Sequence, residues 1–360
     1  MAEKKKDKSA LYVRKGVKPS SAGDDAVKRF QKAKRPKVPV SEYVKGILAG
    51  DMGMLSQAIT LVESSLPEHK EDAVKIVEQC LEHSGNSIRI GITGVPGAGK
   101  STFIESLGSY LTKQGRKLAV LAIDASSHKT GGSILGDKTR MENLAADPNA
   151  YIRPSPSAGS LGGVARKTRE TIILCEAAGY DTVFVETVGV GQSEIAAHSM
   201  VDFFLLLMIA GAGDELQGIK RGIMEMADAL IINKADGTNM RRAERAKSIY
   251  ENTLNLFPPK ESGWTPKILT CSAIKGYGIE RVWNNIMEYK DNTTENNYFA
   301  DNRSSQAIYW MYETINEDLR NNFYKDPAIC EKLSSLEQKV KEGKISPFKA
   351  AGELLDQYIK

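Results

Sequence analysis

The sequence is poor in the residues that hold small or metal-loaded folds together. Cys80, Cys175, Cys271 and Cys330 lie far apart and form no Cys-x-x-Cys pair, which excludes a disulfide framework and a zinc knuckle and fits a reducing cytosol. His69, His83, His128 and His198 stand singly, so the chain lacks the ligand clusters that a metal carrier needs. Long apolar runs are also missing. The longest, Phe203 to Ala210, falls far short of the roughly 20 residues that cross a bilayer, and no signal peptide precedes it. A soluble, cytoplasmic protein that does not engage a membrane is the expectation. Nor is one sign of charge in strong excess: the net charge of +4 is mild, a nucleic-acid arm is open only to the basic amino-terminal stretch, and no nucleic-acid partner is expected. No internal repeat is present.

What remains is an ordinary globular chain, long enough at 360 residues for one large α/β domain with helical additions. Residues 1–38 are crowded with lysine (Lys4, Lys5, Lys6, Lys8, Lys28, Lys32, Lys34, Lys37) and read as a flexible, solvated basic tail. Glu3, Asp7, Asp24 and Asp25, and the preference for Lys over Arg, argue against a mitochondrial transit peptide. Residues 39–86 read as a helical segment, with one helix around Tyr43 to Ser64 and another around Glu68 to His83.

From 87 to 292 the chain alternates β-branched runs with helix-period segments, the pattern of a mostly parallel sheet covered by helices. Strands are predicted at Ile88 to Thr93, Leu118 to Asp124, Thr182 to Glu186, Phe203 to Ala210, Ala229 to Asn233 and Lys267 to Ser272. Helices are predicted at Ser101 to Gln114, Leu161 to Ala178, Asn239 to Leu256 and Ile279 to Tyr289. Residues 293–360 read as a helical arm, with a helix over Ser304 to Lys325 and a last one opened by Ser346-Pro347.

The strongest motif is Gly94-Val95-Pro96-Gly97-Ala98-Gly99-Lys100-Ser101, a full G-x-x-x-x-G-K-[ST] string between an apolar strand and an amphipathic helix. Glycines let such a loop curl so that backbone N–H groups point at phosphate oxygens beside the positive end of the helix dipole. Lys100 would neutralise β/γ-phosphate charge, Ser101 would offer a hydroxyl to Mg²⁺, and Thr102 is a further phosphate contact. Magnesium also needs carboxylates. Glu186 ends a predicted strand in the Walker B position, and Asp124 and Asp137 are further candidates. Together these residues predict a P-loop NTPase.

The base is read further on. Asn233-Lys234-Ala235-Asp236 follows a strand, and Asp236 can accept from guanine N1–H and the 2-amino group together. Adenine has an acceptor at N1 and no 2-amino group, so the same carboxylate discriminates against ATP. Lys234 would lie across the ring and Asn233 would tie loops together. Ser272-Ala273-Ile274 would present backbone N–H groups to the guanine oxygen.

These residues resemble the MeaB/ArgK family, the methylmalonyl-CoA mutase-associated GTPases of the SIMIBI branch of P-loop GTPases, almost end to end. The likeness extends through Ile123-Asp124-Ala125-Ser126-Ser127, the run from Thr130 to Met141, the run from Glu186 to Glu194, and Gly211 to Lys220. It implies a homodimeric GTPase chaperone, with GTP or GDP and Mg²⁺ as ligands. Such a chaperone gates adenosylcobalamin delivery to methylmalonyl-CoA mutase, or a related cobalamin-dependent mutase, and protects that enzyme. It also implies that the helical arms at both ends, residues 293–360 among them, help form the dimer, and that Asp214 and Lys220 lie in a switch loop that signals to the partner.

Ras-like GTPases place a glutamine directly after the switch II glycine to orient water; here Val190 follows Gly189, so slow intrinsic hydrolysis and acceleration by a partner are expected. Gln192, Asp214, Lys220 and Arg221 are candidates for completing the hydrolysis site. The competing readings are a nickel-type metallochaperone GTPase, weakened by the scattered histidines, and a transport-associated ATPase or kinase, which Asp236 argues against.

Overall fold

The computed structural model describes residues 38–123, 141–155, 161–187, 193–210 and 221–359. All elements named below belong to the unit Val40–Lys360. Branched and aromatic side chains fill the strands β1 Ile88–Gly94, β2 Leu118–Ile123, β4 Thr182–Thr187 and β6 Ala229–Asn233, which are buried at every position. Side chains alternate across a strand, so uninterrupted burial means that both faces are covered. β5 Phe203–Ile209 follows the same pattern up to its last residue. With β3 Ala150–Ser155 and β7 Lys267–Thr270 they form a sheet ordered β3-β2-β4-β1-β5-β6-β7, every pair parallel.

The helices are those that parallel connections require. α4 Lys100–Lys113 packs on β1 and β2, α6 Leu161–Ala177 on β2, and α9 Met240–Leu254 on β6 and β7. Short helices α5 Glu142–Ala145, α7 Ser193–His198 and α8 Arg221–Met226 complete the crossovers. α10 Ile279–Glu295 packs against α4 and β7.

Four departures from the sequence reading are seen, the first three with local causes. The single helix expected over Tyr43 to Ser64 is two, α1 Val40–Leu48 and α2 Met52–Glu63, because the Asp51 carboxylate caps the second by accepting from Gly53 N (2.7 Å) and Met54 N (3.0 Å). α3 Pro67–Leu81 follows, and these helices pack against α6. Strand β3 was not anticipated, since it contains Arg153 and Pro154; it is an edge strand, where proline is tolerated. The helix read to Tyr289 continues to Glu295, and after a turn with Asn297 at φ 65° the 28-residue α11 Tyr298–Lys325 begins. Beyond it, α12 Pro327–Lys341, also unforeseen, packs with α13 Pro347–Ile359 through Ile329, Leu336, Ala350 and Leu354.

The amino end of β1 is fixed by ion pairs. Arg89 donates through Nε and Nη2 to the two oxygens of Glu176, both at 2.8 Å, and Gly85 N adds a further donor at 2.8 Å. Burial works against the Glu176 charge, but Arg89, Ser87 and Gly85 outweigh it and hold the carboxyl below its ordinary value of 4.5. A depressed carboxylate contributes stability that is complete above pH 4.5 and is lost as pH falls through the lower folded value. Glu176→Gln leaves Arg89 without its counter-charge and should cost about 3 kcal/mol in urea unfolding at pH 7, with the deficit shrinking in acid. An unchanged midpoint at pH 7 would show that the pair contributes nothing.

Candidate functional site

In a parallel sheet every strand presents its carboxyl end to the same side, and those sequence-predicted residues that are described gather there. Gly94 closes β1 beside Leu207 of β5; a Cβ at this position would lie 2.4 Å from the Leu207 carbonyl oxygen. Val95 N–H donates to that same oxygen at 3.3 Å, so the loop leaves the sheet tightly held. Gly99, at φ 84°, turns the chain into α4 in a conformation that L side chains rarely adopt. Between them Pro96 and Gly97 are exposed while Val95 and Ala98 are buried. Ser101 is half-buried in the first turn of α4 and Thr102 is exposed.

Lys100 reaches back across the loop, its Nζ donating to the Gly94 carbonyl at 3.0 Å. Burial lowers its pKa, and the charges of Glu186 and Glu194 oppose that fall. A partly desolvated cation above a curl of glycines is a site that gains from receiving an anion. Glu186 is buried near the end of β4, in register with Ile92 of β1 and Ala122 of β2. Beside it the hydroxyl of Thr187 donates to Thr93 at 2.8 Å, joining the ends of β4 and β1. Asp124, Asp137, Gln192, Asp214 and Lys220 lie outside the described residues, as does the side chain of Arg221.

The second half of the site is organised by Asn233, the last residue of β6. Its Nδ2 donates to the Ala98 carbonyl in the glycine loop at 2.8 Å, and its Oδ1 accepts from Ala273 N–H at 3.1 Å and from the Cys271 thiol at 3.5 Å. One amide therefore joins the loops after β1, β6 and β7. Lys234 is exposed and sits at φ 59°, unusual for a side-chain-bearing residue, with its carbonyl held by Asn239 Nδ2 at 2.7 Å. Half-buried Asp236 accepts a hydrogen bond from the Ser272 hydroxyl. Ile274 points to solvent, 75% exposed, so only its backbone can serve a ligand.

Two features were not assigned from sequence. Glu194 is fully buried in the first turn of α7, and its charge acts on Lys100. The Thr93–Thr187 bond is the other; a threonine at the end of each of two apolar strands was its only trace.

The family model described as methylmalonyl Co-A mutase-associated GTPase MeaB matches residues 55–328. The GTPase ArgK of Escherichia coli is 44% identical over 308 residues, covering 86% of this chain and 93% of that protein. The mitochondrial methylmalonic aciduria type A homolog of Mus musculus is 45% identical over 329 residues, covering 89% of this chain and 79% of that protein. Among solved structures, a LAO/AO transport system kinase is 36% identical, with a TM-score of 0.71, covering 89% of this chain and 98% of that one.

Proposed function

From the premise that the chain belongs to the MeaB family of methylmalonyl-CoA mutase-associated GTPases, we propose that it binds GTP with Mg²⁺ in this site and hydrolyses it slowly. As a homodimer, the nucleotide state would gate adenosylcobalamin delivery to, and protection of, methylmalonyl-CoA mutase or a related cobalamin-dependent mutase. The observation that carries the reading is the Asn233 side chain, which ties the phosphate loop to the segment beyond β7 while Asp236 stands beside it on Ser272. A site so joined can measure a whole nucleotide, base and triphosphate together.

In this reading the backbone N–H groups of Gly97, Gly99, Lys100 and Ser101 and the Lys100 ammonium take the β- and γ-phosphates, and Asp236 takes the guanine edge. The donor set suits magnesium: the Ser101 hydroxyl and the Glu186 carboxylate are hard oxygen ligands. Among the described residues no three His, Cys, Asp or Glu side chains converge; Asp124 and Asp137, the other candidate ligands, lie outside them, and phosphate oxygens and water would supply further positions. Bound there, Mg²⁺ would neutralise phosphate charge. Thr187 and Thr93 fix the strand end that carries Glu186 against the strand that carries the loop.

Nothing but an aliphatic side chain follows Gly189, so unassisted turnover should be on the order of 10⁻⁴ to 10⁻² s⁻¹. Steady-state GTP hydrolysis measured with and without purified methylmalonyl-CoA mutase is the test, and at least a tenfold acceleration by the mutase is expected. If no cobalamin enzyme changes the rate, the chaperone assignment fails while GTP hydrolysis itself stands.

A further inference from the structure

The six-residue helix α7 joins two distant parts of the molecule. It packs against β1 and β4, the strands that end in the glycine loop and in Glu186, and its first turn carries Glu194. Its other end runs into Ser199, Val201 and Asp202, and all three accept hydrogen bonds from one stripe of α11. Trp310 Nε1 donates to the Ser199 carbonyl at 3.0 Å and Gln306 Nε2 to the Val201 carbonyl at 2.8 Å. Arg303 donates through Nε and Nη2 to Asp202, both at 2.7 Å. Positions 303, 306 and 310 share a helix face.

The carbonyls that follow a helix also need donors, and where those donors sit helps to fix the helix end. Trp310 and Gln306, both 7% exposed, supply such donors just beyond α7. Arg303 also donates to the Ser87 carbonyl at 2.6 Å, which seats α11 on the amino end of β1 rather than on α7 alone. A helix of this length rises only about 9 Å and moves as a unit, so a shift at one end is delivered to the other.

We infer that Trp310 and Gln306 are positioning residues for the phosphate site: by fixing the far end of α7 they hold its first turn, with buried Glu194, against the strands that carry the glycine loop and Glu186. This rests on the reading of Lys100 as the triphosphate-binding lysine and extends it to the carboxyl-terminal arm. The arm then reports and constrains nucleotide state without touching nucleotide.

The test uses the full chain and compares Trp310→Phe, Gln306→Met, Glu194→Gln and the Trp310→Phe/Glu194→Gln pair. Gln306→Met keeps bulk and removes the donor, and Trp310→Phe removes the donor while keeping an aromatic ring. At saturating GTP, kcat should fall about three- to tenfold in each arm variant, the size of one lost hydrogen bond, while the GDP Kd stays within about twofold. Because Trp310 acts through Glu194, the double variant should turn over no more slowly than Glu194→Gln alone. Unchanged kcat in both arm variants, or losses that multiply in the pair, overturns the proposal. A measurement without substitution guards against misfolded variants: the Trp310 indole N–H resonance of the ¹⁵N-labelled chain should shift between the GDP and GTP-analogue forms, and coincident positions would equally overturn it. Failure of the unaltered chain to take up guanine nucleotide in calorimetry would instead remove the GTPase reading beneath it, a separate and recognisable result.

Discussion

Asp236→Ala should lower GTP affinity about a thousandfold and abolish the preference for GTP over ATP, with ATP binding unchanged. The magnitude follows from what is left unpaired. Guanine would bury N1–H and the 2-amino group with no acceptor, and sites built around such hydrogen bonds reject a mismatched group by roughly 10⁴-fold. The carboxylate is preorganised by the Ser272 hydroxyl and by extended backbone at Asp236, φ −138° and ψ 164°. Ser272→Ala, which loosens the carboxylate without removing it, should therefore cost only about tenfold. Competitive calorimetry with both nucleotides is the measurement. An Asp236→Ala protein that still chooses GTP would show that the base lies elsewhere.

Lys100→Ala should reduce kcat/KM for GTP about a thousandfold, because the loop loses the side-chain charge aimed across it. Lys100→Arg should recover little of this. A point-charge ammonium fits within 3.0 Å of the Gly94 carbonyl, whereas a planar guanidinium needs a wider fork. A pH dependence accompanies the prediction. Burial lowers the Lys100 pKa from its ordinary 10.5 despite Glu186 and Glu194, and a triphosphate favours the protonated form. GTP affinity is then complete below the lowered value and declines as pH rises through it, earlier than for an ordinary lysine. Titrations from pH 7 upward should show that decline in the unaltered protein, and its persistence in Lys100→Ala would assign it to another group.

The central strands were legible because sheets covered on both faces turn burial into unbroken apolar runs, as in Phe203 to Ile209 and Ala229 to Asn233. β3 was hidden by the opposite circumstance: on an edge, Arg153 and Pro154 are acceptable, and the run reads as a loop. The candidate nucleotide residues were readable because each set is a contiguous string at a strand end. The contributions missed come from pairings that no local string encodes. Trp310 and Ser199 are 111 residues apart, and Thr93 and Thr187 meet across 94. Glu194 stood within a noticed string, but its relation to Lys100 arises only when α7 is laid on β1 and β4. The break before α2 depended on whether Asp51 would serve as a cap, a choice settled by packing against α3 and α6.

The character of β3 bears on how copies of this chain can meet. An exposed sheet margin is an open ladder that invites another backbone to zip onto it, and proline and charge are common deterrents. With Pro154, which lacks a backbone donor, on one margin, and the short strand Lys267–Thr270 on the other, extension of the sheet from molecule to molecule is discouraged at both limits. The helical surfaces suit a lasting union better, because there shape selects the mate and growth can stop at a defined number.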